Sequence, residues 1–195
     1  MQQEIVAAWW LQLDEEQLHF LDQVHGQMKN YFGADQRRIS HAQAVTRNAV
    51  NMLHYIEAEP VLTLTATYLH DIGIPEAERK YNRCDGKIQE QEGPPVAREL
   101  LFEIGATKDM IARVCELVGH HHTPQGVDSP EFRVLWDADA LVNLSEVVEG
   151  KDPAAIEAIL YKAMVTEPGY QMARKIYLPQ LENKSRADSY IDSLR

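Results

Sequence analysis

The feature that most constrains the fold of this chain is a proline placed directly after a residue that can cap a helix. Proline is favoured at the first position of a helix, where its missing N–H costs nothing and its fixed φ suits the helix. The pattern therefore predicts three helix starts: Asp152–Pro153 before residues 154–164, Ser129–Pro130 before residues 131–148, and Pro94–Pro95 before residues 96–104.

Apolar periodicity extends the helical prediction to the rest of the chain. Between residues 35 and 57, apolar side chains recur every three or four positions and form one stripe of a helix. Thr107 predicts a helix start before residues 108–119. Residues 61–69 alternate like a strand but also keep a helical spacing, and Pro60 favours the helix. We predict an all-α fold, a compact single-domain helical bundle.

Composition limits the partners and the compartment. The chain carries 19 Lys+Arg against 30 Asp+Glu, a net charge of −11, which argues against nucleic acid or an anionic membrane as a partner. Its two cysteines, Cys84 and Cys115, fit a reducing compartment better than a disulfide framework. The apolar run near the start lacks a basic flank, and no segment is apolar enough to cross a bilayer. We expect a cytoplasmic protein.

An imidazole and a carboxylate stand side by side directly after residues 61–69. His70 and Asp71 form a mixed nitrogen and oxygen pair that suits a divalent transition metal and leaves positions open for water. A His-Asp dipeptide also fits a helix-terminal histidine beside a surface aspartate. His41, on the flank of the 35–57 stripe, likewise fits a structural histidine at the edge of the core.

Two carboxylates interrupt the apolar helix predicted over residues 131–148. On a helical wheel Asp139 falls between Leu135 and Phe132, and Asp137 precedes it by two positions. A buried carboxylate without a cation or a hydrogen-bond donor costs roughly several kcal/mol. A metal ion or a nearby arginine would satisfy it.

Three consecutive histidines follow the helix predicted over residues 108–119. His120, His121 and His122 cannot all share one helical face, so one or two can enter a cleft while another stays in solvent. They fit metal ligands or proton-transfer groups, and an exposed cluster that binds metal adventitiously is the alternative.

These segments, in this order, resemble the HD-domain superfamily of metal-dependent phosphohydrolases over residues 35–148. The resemblance implies that His41, His70, Asp71 and Asp139 bind a divalent cation, with Asp137 as the alternative to Asp139. The segments that carry it are Arg37-Arg38-Ile39-Ser40-His41, Leu69-His70-Asp71-Ile72-Gly73, Gly119-His120-His121-His122 and Ala138-Asp139-Ala140-Leu141.

Members of this superfamily with two metals add a histidine after the His-Asp pair, and residues 89–93 stand in that region here without one. We therefore expect one divalent metal ion (Mn, Mg, Co, Fe, Ni or Zn), and any second ion would need Glu90, Glu92 or another residue in place of that histidine. His121 and His122 then join Asp71 as catalytic residues, either touching the substrate or transferring protons.

The residue after the His-Asp-Ile-Gly signature also bears on the substrate. Ile74 stands where one large branch often has a lysine, which makes cyclic dinucleotides a poorer expectation. Glu76, just beyond, is a further candidate for the acid that protonates the leaving group.

Basic residues near the His-Asp pair are candidates for phosphate recognition. Arg79, Lys80 and Arg83 follow it in one short segment, and Arg38 lies one helical turn before His41. A solvated basic face that balances nearby acids is the alternative for the segment after the pair.

The expected activity is hydrolysis of a phosphate ester, of a nucleotide or a related small phosphorylated metabolite, by metal-activated water. A di-iron oxygenase on the same fold and a non-catalytic nucleotide-binding domain are the alternatives. Trp9, Trp10 and residues 176–194 are expected either to pack back on the core or to form the contact of a homodimer. We predict an N-terminal helical extension, a metal-binding core and C-terminal helices packed on it, over residues 1–34, 35–150 and 151–195 respectively.

Overall fold

The structure, a computed structural model, describes residues 12–123 and 126–179. Within these residues it contains helices and no strand, which confirms the all-α prediction. The helices are α1 (Glu15–Phe32), α2 (Gln36–Met52), α3 (Pro60–Leu69), α4 (Ile74–Tyr81), α5 (Gly86–Glu103), α6 (Lys108–Val118), α7 (Pro130–Val148), α8 (Pro153–Ala163) and α9 (Glu167–Tyr177).

Helix α3 lies at the centre of the fold and contacts α1, α2, α6 and α7. Its threonines are buried along with its leucines, so the alternation read from the sequence does not mark a solvent-facing side. Thr63 Oγ1 donates to the Glu59 carbonyl, and Thr67 Oγ1 donates to the Leu64 carbonyl. Hydroxyls that bond back to the helix in this way can be buried at little cost. Burial on all sides explains why the local pattern was ambiguous.

The predicted caps start three of the helices. Ser129, Thr107 and Asp152 each accept a backbone N–H of the following first turn through a side-chain oxygen, at 3.2, 3.1 and 2.9 Å. These helix starts are confirmed. The helix predicted over 35–57 is α2, which ends at Met52.

The prediction that Pro94 and Pro95 start a helix is wrong, because both lie inside α5. Proline removes one backbone hydrogen bond and crowds the preceding turn, so packing must hold the two halves of the helix together. Gly93 supplies part of that packing, since it touches the backbone of Gly73. A methyl group on Gly73 would lie 2.5 Å from the Gly93 nitrogen and 2.6 Å from the carbonyl oxygen of Gln89.

The ends of the described chain pack on the same core. α1 contributes Val24 and Met28 to it, while α8 and α9 contact α7. The division into three segments stays a prediction. The expected dimer contact stays one too, because Trp9, Trp10 and residues 180–194 lie outside the described residues. Among the helices described, none combines the length and the apolar character needed to traverse a bilayer.

Candidate metal centre

Four side chains from three parts of the chain converge at one end of the bundle. His41 comes from α2, His70 and Asp71 from the turn that follows α3, and Asp139 from α7. The Nε2 atom of His41 lies 3.1 Å from Nε2 of His70, 3.0 Å from Oδ1 of Asp139 and 3.4 Å from Oδ2 of Asp71. The structure thus brings together all four residues that the resemblance implied as ligands.

The hydrogen bonds of His70 show what this cluster can bind. Its ring is fully buried, and Nδ1 donates to the carbonyl oxygen of Thr67 at 2.8 Å. In the neutral ring, Nε2 is then an acceptor. It faces the carboxylates of Asp71 and Asp139, which are acceptors too, at 3.4 and 3.5 Å. Only a proton or a cation satisfies such a set, and two imidazoles with two carboxylates suit a divalent metal ion.

The electrostatics of the centre follow from the same contacts. Burial disfavours the charged form of His70, but Asp71 and Asp139 outweigh burial and raise the pKa of His70 to about 9. Burial opposes ionisation of Asp71, yet His70 and His121 lower the pKa of Asp71 to about 2. Burial likewise opposes ionisation of Asp139, and hydrogen bonds to His41 and His70 hold its pKa well below the ordinary value. Both carboxylates are therefore ionised at neutral pH.

A second group of possible ligands shares Asp71 with the first. His121 is buried, and its Nδ1 donates to the Val118 carbonyl at 2.7 Å. Its Nε2 lies 3.6 Å from Oδ1 of Asp71 and has no hydrogen-bond partner among the described residues. Potential ligand atoms of Asp71, His121 and His122 lie within 4.8 Å of one another. The triple-histidine segment thus places two imidazoles beside the His-Asp pair.

Residues 89–93 support this second group rather than supplying a carboxylate to it. The Gln89 side chain accepts from Nε2 of His122 at 3.1 Å, and Glu90 accepts from the His122 backbone N–H at 3.0 Å. Glu92 instead pairs with Lys80 at 2.5 Å. Of the two carboxylates predicted to replace the missing histidine, Glu90 therefore anchors the segment and Glu92 is engaged elsewhere.

Asp137 was the alternative to Asp139 as a ligand, and that alternative is wrong. Asp137 is fully buried, and its carboxylate accepts from the backbone N–H groups of Val165 and Thr166, at 2.8 and 2.9 Å, and from the Thr166 hydroxyl. Burial raises the pKa of Asp137, although these donors act in the opposite direction. Its role is to hold the start of α9 against α7.

A cleft of about 410 Å³ opens onto the metal centre, and its lining includes His41, Asp71, Asp139 and His122. Arg38 lines it as predicted, but its guanidinium already contacts Asp35 at 2.9 Å and Glu78 at 2.6 Å.

The neighbouring Arg37 also lines the cleft and has no ion-pair partner within residues 12–123 and 126–179. Among the described residues that line this cleft, Arg37 is therefore the cation without a carboxylate partner, and it directly precedes the predicted residue.

The structure does not bring the other predicted basic residues to this cleft. Arg79 pairs with Glu76, Lys80 pairs with Glu76 and Glu92, and Arg83 pairs with Asp85. These side chains are absent from the described lining of the cleft. Arg79 and Lys80 on α4, and Arg83 just after it, instead contact carboxylates of the protein itself, and the expectation that these three residues bind substrate stays a prediction. Glu76, a candidate acid, is occupied by the same pairs.

Asn143 is a site residue that the sequence reasoning missed. Its Nδ2 donates to Oδ1 of Asp139 at 2.9 Å, and it lines the cleft. The two residues are four positions apart on α7, so the spacing of neighbours along a helix could have identified it.

Comparisons with known proteins agree with this geometry. The model of a family described as the HD domain matches residues 38–144. The fold is similar to the crystal structure of a predicted HD superfamily hydrolase from an uncultured Thermotogales bacterium, with 24% identity and a TM-score of 0.55 over 89% of this chain and 91% of that chain. No curated protein sequence matches significantly.

Proposed function

This chain belongs to the HD-domain family, and from that premise we propose that it is a metal-dependent phosphohydrolase. Its substrate in this proposal is a phosphate ester, of a nucleotide or a related small phosphorylated metabolite. The structurally similar Thermotogales protein bears the description of a hydrolase, which supports the proposal.

The main support for the proposal is a group of nitrogen and oxygen atoms that lie close together at the base of an open cleft. Nε2 of His70 faces two carboxylates and the imidazole of His41, and no donor among the described residues satisfies all of them. A divalent cation bound there would act as a Lewis acid towards a phosphoryl oxygen and would lower the pKa of a water molecule. The open side of the cluster leaves room for both.

The side chains around the centre supply binding and proton transfer. Arg37 stands free at the cleft to meet phosphate oxygens, as guanidinium groups commonly do. His122 lines the cleft, and the Gln89 carboxamide holds its Nε2. We assign His122 the transfer of a proton to the departing oxygen, while buried His121 faces Asp71 and orients it.

Phosphate release tests this proposal. We expect release from nucleoside monophosphates and triphosphates or from a generic aryl phosphate, only with an added divalent cation. Asp139→Asn keeps the shape of its side chain and should abolish release, because one anionic ligand is lost. His70→Ala should do the same, and His19→Ala, an exposed change on α1, is the control. No release from a folded, metal-loaded wild-type protein would contradict the proposal and favour a non-catalytic ligand-binding domain.

A di-iron oxygenase is the second candidate, because Asp71 belongs to both groups of possible ligands. A carboxylate between two ligand sets is suited to two ions. Metal analysis after loading separates the candidates: one ion per chain with phosphate release supports the hydrolase. Two irons, with oxygen consumption and no phosphate release, would support the oxygenase.

A further inference from the structure

A second cavity, of about 270 Å³, reaches the metal centre beside the first. It shares His122, Asp139 and Asn143 with the larger cleft, but its walls are predominantly apolar and include neither Arg37 nor Arg38. The two cavities therefore meet at the side chains assigned to the reaction. The first is lined mainly by charged and polar side chains and the second mainly by apolar ones, so a substrate seated at their junction meets different chemistry on each side.

The apolar walls come mainly from one face of α7 and from the end of α8. Trp136 is half-buried, and its Nε1 donates to the Ala163 carbonyl at 3.1 Å, which fixes the indole against α8. Val147, three turns further on, is 49% exposed. Aromatic and aliphatic side chains beside a few polar groups are typical of pockets that bind small organic molecules.

A lysine stands at this second cavity. Lys162 is exposed and has no ion-pair partner in the described part of the chain, unlike Lys80, which contacts two carboxylates. Its ammonium group is therefore available to a polar acceptor carried by a bound molecule.

We propose that this second cavity, the α7–α8 pocket, binds the organic group of the phosphate ester, and that this group is flat and apolar with a polar acceptor facing Lys162. The inference rests on the proposed phosphohydrolase function and narrows its substrates to aryl or nucleobase-like esters. Small aliphatic phosphates would leave the pocket filled with water.

The occupant follows from the way the two cavities join. A phosphate at the metal centre has oxygens that favour the polar cleft and Arg37, whereas its ester substituent gains most from leaving water. The α7–α8 pocket begins at the same three residues as the cleft, so the substituent reaches it without crossing solvent. A flat group matches the fixed indole of Trp136 better than a branched aliphatic one.

Binding of two phosphonates to the metal-loaded protein tests the inference without requiring turnover. Phenylphosphonate should bind roughly tenfold tighter than methylphosphonate, measured by titration calorimetry. In Val147→Asp this ratio should fall towards one, because a carboxylate makes the pocket wall polar. In Ile176→Asp, an equally exposed position on α9, the ratio should persist. If Val147→Asp does not fold, Val147→Ala should reduce the ratio to a lesser extent.

The role of the Lys162 ammonium group at the α7–α8 pocket is tested with carboxyphenylphosphonate isomers. At least one isomer should bind more tightly than phenylphosphonate. Lys162→Gln should remove that gain, and Lys175→Gln, which removes a lysine on α9, should not.

The outcomes separate failure of the inference from failure of the proposed function. Equal affinity for both phosphonates, unchanged in Val147→Asp, would overturn the inference even if phosphate release is intact. A wild-type dimer that Val147→Asp dissociates, with an unchanged phosphonate ratio, would also overturn it and make the pocket a contact between two copies. Loss of all phosphate release with a retained phosphonate preference would reject only the hydrolysis.

Discussion

Asp137 and Asp139 lie two residues apart on α7, yet they serve the protein in opposite ways. Asp137 accepts three hydrogen bonds from Val165 and Thr166 and is fully buried. Asp139 faces two imidazoles beside another carboxylate, and within the described part of the chain its side-chain donor outside that cluster is Asn143. One carboxylate is satisfied by the fold, whereas the other is left for a ligand to satisfy.

The difference shows that burial alone does not identify a functional carboxylate. Both side chains interrupt an apolar helix, and desolvation opposes ionisation of each. What separates them is the group that faces each carboxylate: backbone N–H and hydroxyl donors of the fold for Asp137, and for Asp139 two imidazoles that also face the carboxylate of Asp71. Two imidazoles and two carboxylates that face one another suit a divalent cation.

The largest expected effect is on cation binding, and it tests Asp139 as a metal ligand. Asp139→Asn should weaken binding of a divalent cation by more than the roughly 10–100-fold that follows loss of a supporting residue, because an anionic ligand is removed. Titration calorimetry with Mn, Co or Zn measures it. Chelator should lower the melting temperature of the loaded wild-type protein but not that of Asp139→Asn. Equal affinity in the two proteins would remove Asp139 from the ligand set.

The same substitution at the neighbouring carboxylate should affect folding instead. Asp137→Asn places an NH₂ group against the Val165 or Thr166 backbone N–H, so we expect a loss of about 3 kcal/mol in the free energy of unfolding. Denaturant unfolding of the metal-free protein measures it, and metal affinity per folded molecule should stay within a few-fold of wild type. A strong loss of metal affinity with unchanged stability would reverse the two roles.

A third substitution, at Gly169, tests the packing of α9 against the Asp137 carboxylate. A methyl group on Gly169 would overlap the Asp137 carboxylate, so Gly169→Ala should destabilise the fold by roughly 2 kcal/mol through overpacking. Gly26→Ala, where nothing lies within 4 Å, is the matched control and should be neutral or stabilising. Thermal unfolding of both variants compares them, and equal melting temperatures would show that the contact with Asp137 is loose.

The smallest expected effect concerns the donor to Asp139. Asn143→Ala removes the N–H that orients the carboxylate and should weaken metal binding about tenfold. Asn51→Ala, an exposed change on α2, should leave affinity unchanged. If both variants bind metal as tightly as the wild type does, Asn143 lines the cleft but does not support the metal ligand Asp139.

The sequence predicted the all-α fold, and the family resemblance indicated the four side chains that converge, but neither predicted the surroundings of the site. Caps and periodicity act locally, so the starts of α6, α7 and α8 could be read directly from Thr107, Ser129 and Asp152. The interior prolines of α5 could not, because packing between α4, α5 and α6 holds that helix.

The basic residues illustrate the same limit. Arg79 and Arg37 look alike in sequence, yet Arg79 is paired with Glu76, whereas Arg37 lines the cleft with no ion-pair partner among the described residues. Only the three-dimensional arrangement of α2 and α4 shows which cation has no carboxylate partner.

The backbone contact between Gly73 and Gly93 fixes the distance between two segments that carry site residues. It joins the turn that carries Asp71 to the helix that carries Gln89, with no side-chain torsion between them to absorb movement. Any residue larger than glycine at position 73 would push α5 away. Gln89, whose side chain hydrogen-bonds to His122, would move with the helix. The position of Gln89 in the cleft wall therefore depends on a contact between two backbone segments that has no room for a methyl group.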